Sequence, residues 1–264
     1  MTVQEIRIQS PDGDIYARSW MPEMPADNAV ERAMDLPPVL LFHDSLGCSD
    51  LWRDFPAALA KRSGRKIISY DRLGFGRSAS RSDTLPFDFI AAEAREIVPV
   101  ICRAFGIKKF VACGHSVGGA MAIETAAYWR DDCAAAITVS AQAFVENKTA
   151  EGIRAAQAVF AAPESFARLE KYHAAKTRWV LDAWTNTWLS PAFADWNLDN
   201  ALAVLTCPVL AIHGGADEYG GTAHAERIAG VSGEVLILPA AGHFPHREEP
   251  ERILDTITKF LKPL

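Results

Sequence analysis

Residues 110–129, FVACGHSVGGAMAIETAAYW, hold Ser116 between Gly114 and Gly118, where a short apolar run gives way to a segment rich in small residues. The apolar run reads as a buried strand, and the segment after it as a helix that packs closely. A chain that turns so sharply from strand to helix needs glycines on both sides, because side chains there would collide. The serine then stands above the end of the strand, where its hydroxyl can reach a carbonyl carbon. Backbone N–H groups at the start of a helix have no intrahelical partner, so the one on Val117 is placed to meet a developing oxyanion. Cys113 reads as a small buried hydrophobe at the strand end.

The same alternation continues outward in both directions. PVLLFH (38–43), KIISYD (66–71), AAITVSA (135–141), PVLAIHG (208–214) and VLILPA (235–240) are continuous apolar runs, separated for the most part by segments of helical composition such as LWRDFPAALAKRSG (51–64) and FDFIAAEAREIVPVICRAFG (87–106). A strand can be apolar on both faces only if both are covered, which implies a mostly parallel, doubly wound α/β sheet. The first 20 residues differ. Ile6 and Ile8 alternate in one strand and Ile15 and Ala17 in the next, joined at SPDGD, which predicts an antiparallel hairpin. Residues 22–37 carry proline near both ends and no period, and read as an irregular exposed connection.

One segment breaks the alternation. Residues 145–200 contain no good strand, yet GIRAAQAVFAAPESFARLEKYHAAKTRWVLDAWTNTWL (152–189) has helical spacing. The expected organisation is therefore a core formed by 1–144 and 201–264, with a helical cap inserted at 145–200. Trp179, Trp184, Trp188 and Trp196 lie in that insertion, one or two helical turns apart, as expected of an aromatic lid over an apolar pocket.

A serine hydroxyl needs a base, and the base needs an acid. His243 follows the last strand on a loop, with Gly242 allowing the chain to turn toward the sheet's carboxyl edge; His246 is the nearby competitor, followed at once by charged residues. His115, His173 and His224 read as packing or surface residues. PVLAIHGGADEYG ends a buried strand in glycines and then Asp217, with Glu218 as the alternative acid, while the preceding strand offers no acid before Glu146. The chain order serine, aspartate, histidine puts each group at the end of a different strand.

The formal net charge of −6 with scattered basic residues leaves no footprint for nucleic acid. Five cysteines, odd in number and widely spaced, fit neither a disulfide framework nor a zinc site. The amino terminus, MTVQEIRIQSPDGD, lacks the apolar core of a secretory signal, and no nearby window reaches a membrane-spanning length, so a cytoplasmic protein without a membrane partner is expected.

The pieces FHDSLG, YDRLGFGRS, GHSVGG, HGGADEYG and AGHFPHREEP, in this order, resemble the α/β-hydrolase superfamily over nearly the whole chain. The resemblance implies an eight-stranded sheet, a cap at the insertion, and a triad of Ser116, Asp217 and His243. It also implies an oxyanion hole formed by the N–H groups of Val117 and Ser45. That family often has His-Gly where this chain has His43 and Asp44, so the Asp44 side chain is expected to point away or be paired. Asp44, Leu46, His115, Trp179, Trp184 and Trp188 are expected to line the pocket. The glycine-rich YDRLGFGRS reads as a turn shaped by Asp71, since it lacks the third glycine and the immediate helix of a dinucleotide site.

The expected chemistry is hydrolysis of a small, largely apolar ester, thioester or lactone through an acyl-enzyme, with water as the second substrate and no metal or organic cofactor. A serine nucleophile argues against the haloalkane dehalogenase and epoxide hydrolase branches, which by resemblance use aspartate there. Carbon–carbon hydrolysis of ring-cleavage products is the alternative, with Arg178 or Lys171 available for a substrate carboxylate. A non-catalytic small-ligand receptor is the third reading, and a homodimer is compatible with all of them.

Overall fold

The computed structural model describes residues 1–23 and 36–264. The connection expected at 22–37 falls mostly outside these residues. Eight strands form one sheet in the order β1-β2-β4-β3-β5-β6-β7-β8. They are β1 (Thr2–Ile8), β2 (Ile15–Met21), β3 (Val39–Phe42), β4 (Ile67–Tyr70), β5 (Phe110–His115), β6 (Cys133–Val139), β7 (Val209–Gly214) and β8 (Glu234–Leu238). β1 and β2 form the antiparallel hairpin, with Ile6 opposite Ala17 and Ile8 opposite Ile15. β2 joins β4 antiparallel, and every pairing beyond β4 is parallel.

Two cores flank the sheet because successive side chains alternate faces. Val39, Leu41, Val111 and Cys113 point into one core, with Phe55 and Leu59 of α1 (Phe55–Ser63) and Ile253 and Ile257 of the final helix. Leu40, Phe42 and Ala112 point into the other, which gathers residues from several helices described below. This two-sided covering is what the continuous apolar strands require.

The helical segment near residues 87–106 is not one uniform helix. It divides into α2 (Phe89–Ala92), a π-helical turn (Glu93–Ile97) and α3 (Val98–Phe105). Pro99 has no N–H for the carbonyl four residues earlier and its ring crowds that turn, so a local widening resolves the conflict. Helix α4 (Val117–Tyr128) follows β5 directly.

Between β6 and β7 the chain leaves the sheet for α5 (Asn147–Phe160), α6 (Pro163–His173) and α7 (Thr177–Trp188). A single bridge between Phe144 and Asn197 closes the base of this excursion. The chain then returns through α8 (Asp199–Leu202), and after β7 come α9 (Ala223–Ala229), α10 (Pro245–Glu248) and α11 (Pro250–Leu261). Because β3 to β8 are parallel, the loops beginning at His43, Ser116, Ser140, Gly215 and Pro239 emerge along one edge. Among the described residues no helix is long and apolar enough to cross a membrane.

Candidate active site

Ser116 adopts φ 55° and ψ −127°, a conformation L side chains rarely take. Its N–H donates to the Val139 carbonyl at 2.9 Å and its own carbonyl accepts from Gly119 N–H at 2.8 Å, so the neighbouring strand and the helix start hold the turn. The glycines are sterically required: a Cβ on Gly114 would overlap the Gly118 carbonyl, and one on Gly118 would overlap the carbonyls of Phe42 and His43. The serine is 7% exposed, opening only to a cavity at the sheet edge.

His243 Nδ1 donates to Asp217 Oδ2 at 2.8 Å. Asp217 is fully buried; its Oδ1 accepts the Tyr219 N–H at 2.8 Å, and His213 Nε2 lies 3.4 Å from the same Oδ2 that His243 faces. Burial by itself raises the Asp217 carboxyl, but the hydrogen bond and charge of His243 and the Tyr219 N–H outweigh it and hold the group below its ordinary range. The glycine that ends β7 lets the two loops come together, since a Cβ on Gly214 would overlap the carbonyls of Ala241 and Gly242. Glu218 makes no hydrogen bond to His243 among the described residues, and His246 is buried against Trp52 and Phe55 outside the cavity.

Ser116 and His243 face the same cavity. The hydroxyl of Ser116 donates to Gln142 Oε1 at 3.5 Å, a long bond, and none joins it to His243 among the described residues. Such contacts tighten only when a substrate is bound. Ser45 borders the same space and Val117 directly follows Ser116 at the start of α4, and the backbone N–H of neither has a protein acceptor among the described residues.

Asp44 also borders the cavity, and it is paired. One carboxylate oxygen accepts the Leu46 N–H at 2.9 Å, and the other faces His115 Nδ1 at 3.3 Å. Burial by itself raises the Asp44 carboxyl, but the His115 hydrogen bond and charge outweigh it and hold the group well below the carboxylate range.

The cavity encloses about 70 Å³ and opens into about 450 Å³ of empty space that includes its mouth. Leu46, Trp184 and Trp188 line it as expected from the sequence, joined by Ile153 and Phe244. Two expected positions do not. His115 is buried behind the wall at 1% exposure, because its ring is drawn between Asp44 and the His243 carbonyl. Trp179 packs on Phe75 and donates to the Asp83 carbonyl at 2.9 Å, outside the cavity. Neither lysine nor arginine is among the lining residues: Arg178 is 66% exposed beside Asp182, and Lys171 is exposed. His173 and His224, for which packing and surface were both open, are fully buried.

Sequence reasoning missed Gln142, Thr149 and Tyr219 in the wall. Position supplies a signal for two of them, since Gln142 follows the end of β6 and Tyr219 lies two residues beyond Asp217. In the glycine-rich loop, Asp71 accepts the N–H groups of Ser49 at 2.6 Å and Arg77 at 2.7 Å, the turn-shaping role expected for it.

Residues 39–256 match the model of the Alpha/beta hydrolase family. Among curated proteins, the non-heme chloroperoxidase of Burkholderia pyrrocinia is 30% identical over 119 residues, covering 45% of this chain and 36% of that protein. The bifunctional esterase/perhydrolase of Acinetobacter calcoaceticus is 29% identical over 136 residues, 51% of this chain and 44% of that one. The chain thus matches less than half the length of either relative. Among solved structures, the proline iminopeptidase of Mycobacterium smegmatis superimposes with a TM-score of 0.73 at 20% identity, covering 98% of both chains, a likeness of fold.

Proposed function

This chain belongs to the alpha/beta hydrolase family, and from that premise we propose that it is a serine hydrolase of a small carboxylic ester, thioester or lactone. The observation that carries the reading is the buried Asp217–His243 hydrogen bond facing a cavity shared with a serine held on a strained turn. The esterase named among its relatives agrees with it.

In the proposed mechanism His243 Nε2 takes the Ser116 proton as Oγ adds to the substrate carbonyl. Asp217 fixes the tautomer with its hydrogen bond to Nδ1 and stabilises the imidazolium. The N–H groups of Val117 and Ser45 receive the oxyanion. His243 then gives the proton to the departing alkoxide or thiolate, leaving an acyl-serine. Water attacks that ester, losing its proton to His243 and releasing the acid and free Ser116. A cavity that encloses only about 70 Å³ favours short acyl chains. Carbon–carbon hydrolysis is the weaker reading, because among the described residues no lysine or arginine lines the cavity to receive a substrate carboxylate.

The test is hydrolysis of p-nitrophenyl esters of increasing acyl length, beside Ser116→Ala and with a check for a product burst. Turnover is expected for short esters, and the variant is expected to lose about 10⁶-fold in kcat, as triad nucleophiles do. Absence of turnover by the intact protein, or equal turnover by the variant, overturns the reading.

A further inference from the structure

We infer that His115 and Asp44 form a hydrogen-bonded imidazolium–carboxylate pair of zero net charge, which allows the oxyanion loop to carry an aspartate and ties the His243 backbone to that loop. The inference deepens the serine-hydrolase reading and rests on it for its kinetic consequence.

Donor and acceptor arithmetic leads to the pair. The His243 carbonyl can only accept, so His115 Nε2, 2.7 Å away, carries a hydrogen. His115 Nδ1 faces an Asp44 carboxylate oxygen at 3.3 Å. A bare ring nitrogen against an ionised carboxylate would oppose two lone pairs, so one proton lies between them. Burial of the ring opposes a second proton there, while the Asp44 carboxylate, as charge and hydrogen-bond acceptor, and the His243 carbonyl favour it. The Leu46 N–H, donated to the other carboxylate oxygen at 2.9 Å, favours the ionised acid, and on this geometry we place the proton on the ring.

The neighbouring groups do not substitute for His115. His43 donates its Nδ1 hydrogen to the Asp44 carbonyl, and its Nε2 accepts the Arg72 N–H, so it is neutral. The Arg72 guanidinium donates to that same carbonyl, not to the carboxylate. Arg247 donates to the Leu51 carbonyl and lies over the face of Phe244, so its charge favours the ionised Asp44 from a distance, without a hydrogen bond to the carboxylate. The rings of His243 and His246 touch His115 edge or face, without a hydrogen bond to Asp44.

The consequence is electrostatic. Asp44 adjoins Ser45, whose N–H would receive the oxyanion. An uncompensated carboxylate a few ångströms from that oxyanion, at an effective dielectric of about 20, slows its formation on the order of 10²-fold. His115 cancels this charge and, through its other nitrogen, holds the loop bearing His243. It is a positioning residue with an electrostatic task.

Two measurements test it. The first is independent of activity: nitrogen-15 NMR of histidine-labelled protein at pH 8 should show hydrogens on both ring nitrogens of His115, with the one on Nδ1 lost in Asp44→Asn. A bare Nδ1 in the unaltered protein overturns the inference. The second is kinetic. Glutamine at 115 keeps a donor for the His243 carbonyl but cannot hold the second proton, so His115→Gln should lower kcat about 10²-fold with little change in KM. Adding Asp44→Asn should recover at least about 10-fold, since no charge then needs cancelling. A double variant as slow as His115→Gln shows that His115 acts through packing and overturns the compensation. If the intact protein cleaves no ester, the serine-hydrolase reading fails, while the NMR result still decides the pair.

Discussion

Single residues at the nucleophile turn are constrained by space. The flanking glycines could be recognised in the sequence because only a missing side chain permits so close an approach of strand, helix and neighbouring loop. Gln142 had only its position after a strand to mark it, because a lone glutamine there carries no motif, and its relation to Ser116 arises from the pairing of β5 with β6. Asp44 was legible as a problem, a carboxylate in an oxyanion loop, but its solution depends on His115 lying across two loops. The steric argument makes a graded prediction. Gly106 has positive φ (63°) with nothing near a future Cβ, so Gly106→Ala should cost only the left-handed conformational penalty of about 1 kcal/mol. Gly118→Ala sets a methyl against backbone carbonyls that cannot swing aside, and should cost more than about 3 kcal/mol. Urea denaturation of the two variants distinguishes them, and equal losses would refute the steric account.

At the scale of elements, the strands were readable as apolar runs, and the helical excursion as the place where those runs stop. What escaped was helical phase. Trp184 and Trp188 are four residues apart and share a face of α7, whereas Trp179, five residues before Trp184, is rotated by about 140° from it. That rotation sends Trp179 toward Asp83 while the other two reach the cavity. The excursion is attached through the end of α6. His173 accepts the Gly76 N–H at 2.9 Å and donates to the Leu46 carbonyl at 2.9 Å. Lys176 caps the carbonyls of Phe75 at 3.1 Å and Gly76 at 2.6 Å. One buried ring therefore links the excursion to the glycine-rich loop and to the loop containing Ser45. His173→Ala leaves a buried donor and a buried acceptor unpaired, at about 1–3 kcal/mol each. The expected result is a lower thermal midpoint with faster amide exchange at residues 44–47 and 163–188, measured by mass spectrometry. Unchanged exchange at 44–47 would show that the ring does not support that loop.

For the whole molecule, the carboxyl edge of the sheet is tied together by neutral histidines, and this sets how stability responds to acid. His43 joins the loop after β3 to the loop after β4, His173 joins the excursion to both, and His224 joins α9 to Ala143 and Glu146. Each ring uses one nitrogen to accept a backbone N–H, so a second proton breaks that bond. Burial drives all three below the ordinary histidine range. A folded-state pKa below the unfolded value means that the unfolded chain takes up the proton first. The contribution of these three rings is therefore undiminished above about pH 6.5, falls as pH drops through the interval down to the folded-state values, and stops falling below them. Each such proton contributes a slope of up to about 1.4 kcal/mol per pH unit, so three together approach about 4. The carboxylates held below their ordinary range, Asp44 and Asp217, act in a separate interval, since their contribution is lost only below about pH 4. Denaturation curves at pH 7, 6 and 5 should thus show a decline that steepens below about pH 6.5. Between pH 7 and 8 the proton held by His115, bound in the folded chain and not in the unfolded one, makes stability fall by up to about 1.4 kcal/mol as pH rises. A free energy unchanged down to pH 5 would mean that these rings take up protons in the folded protein without loss, contrary to the hydrogen bonds they make.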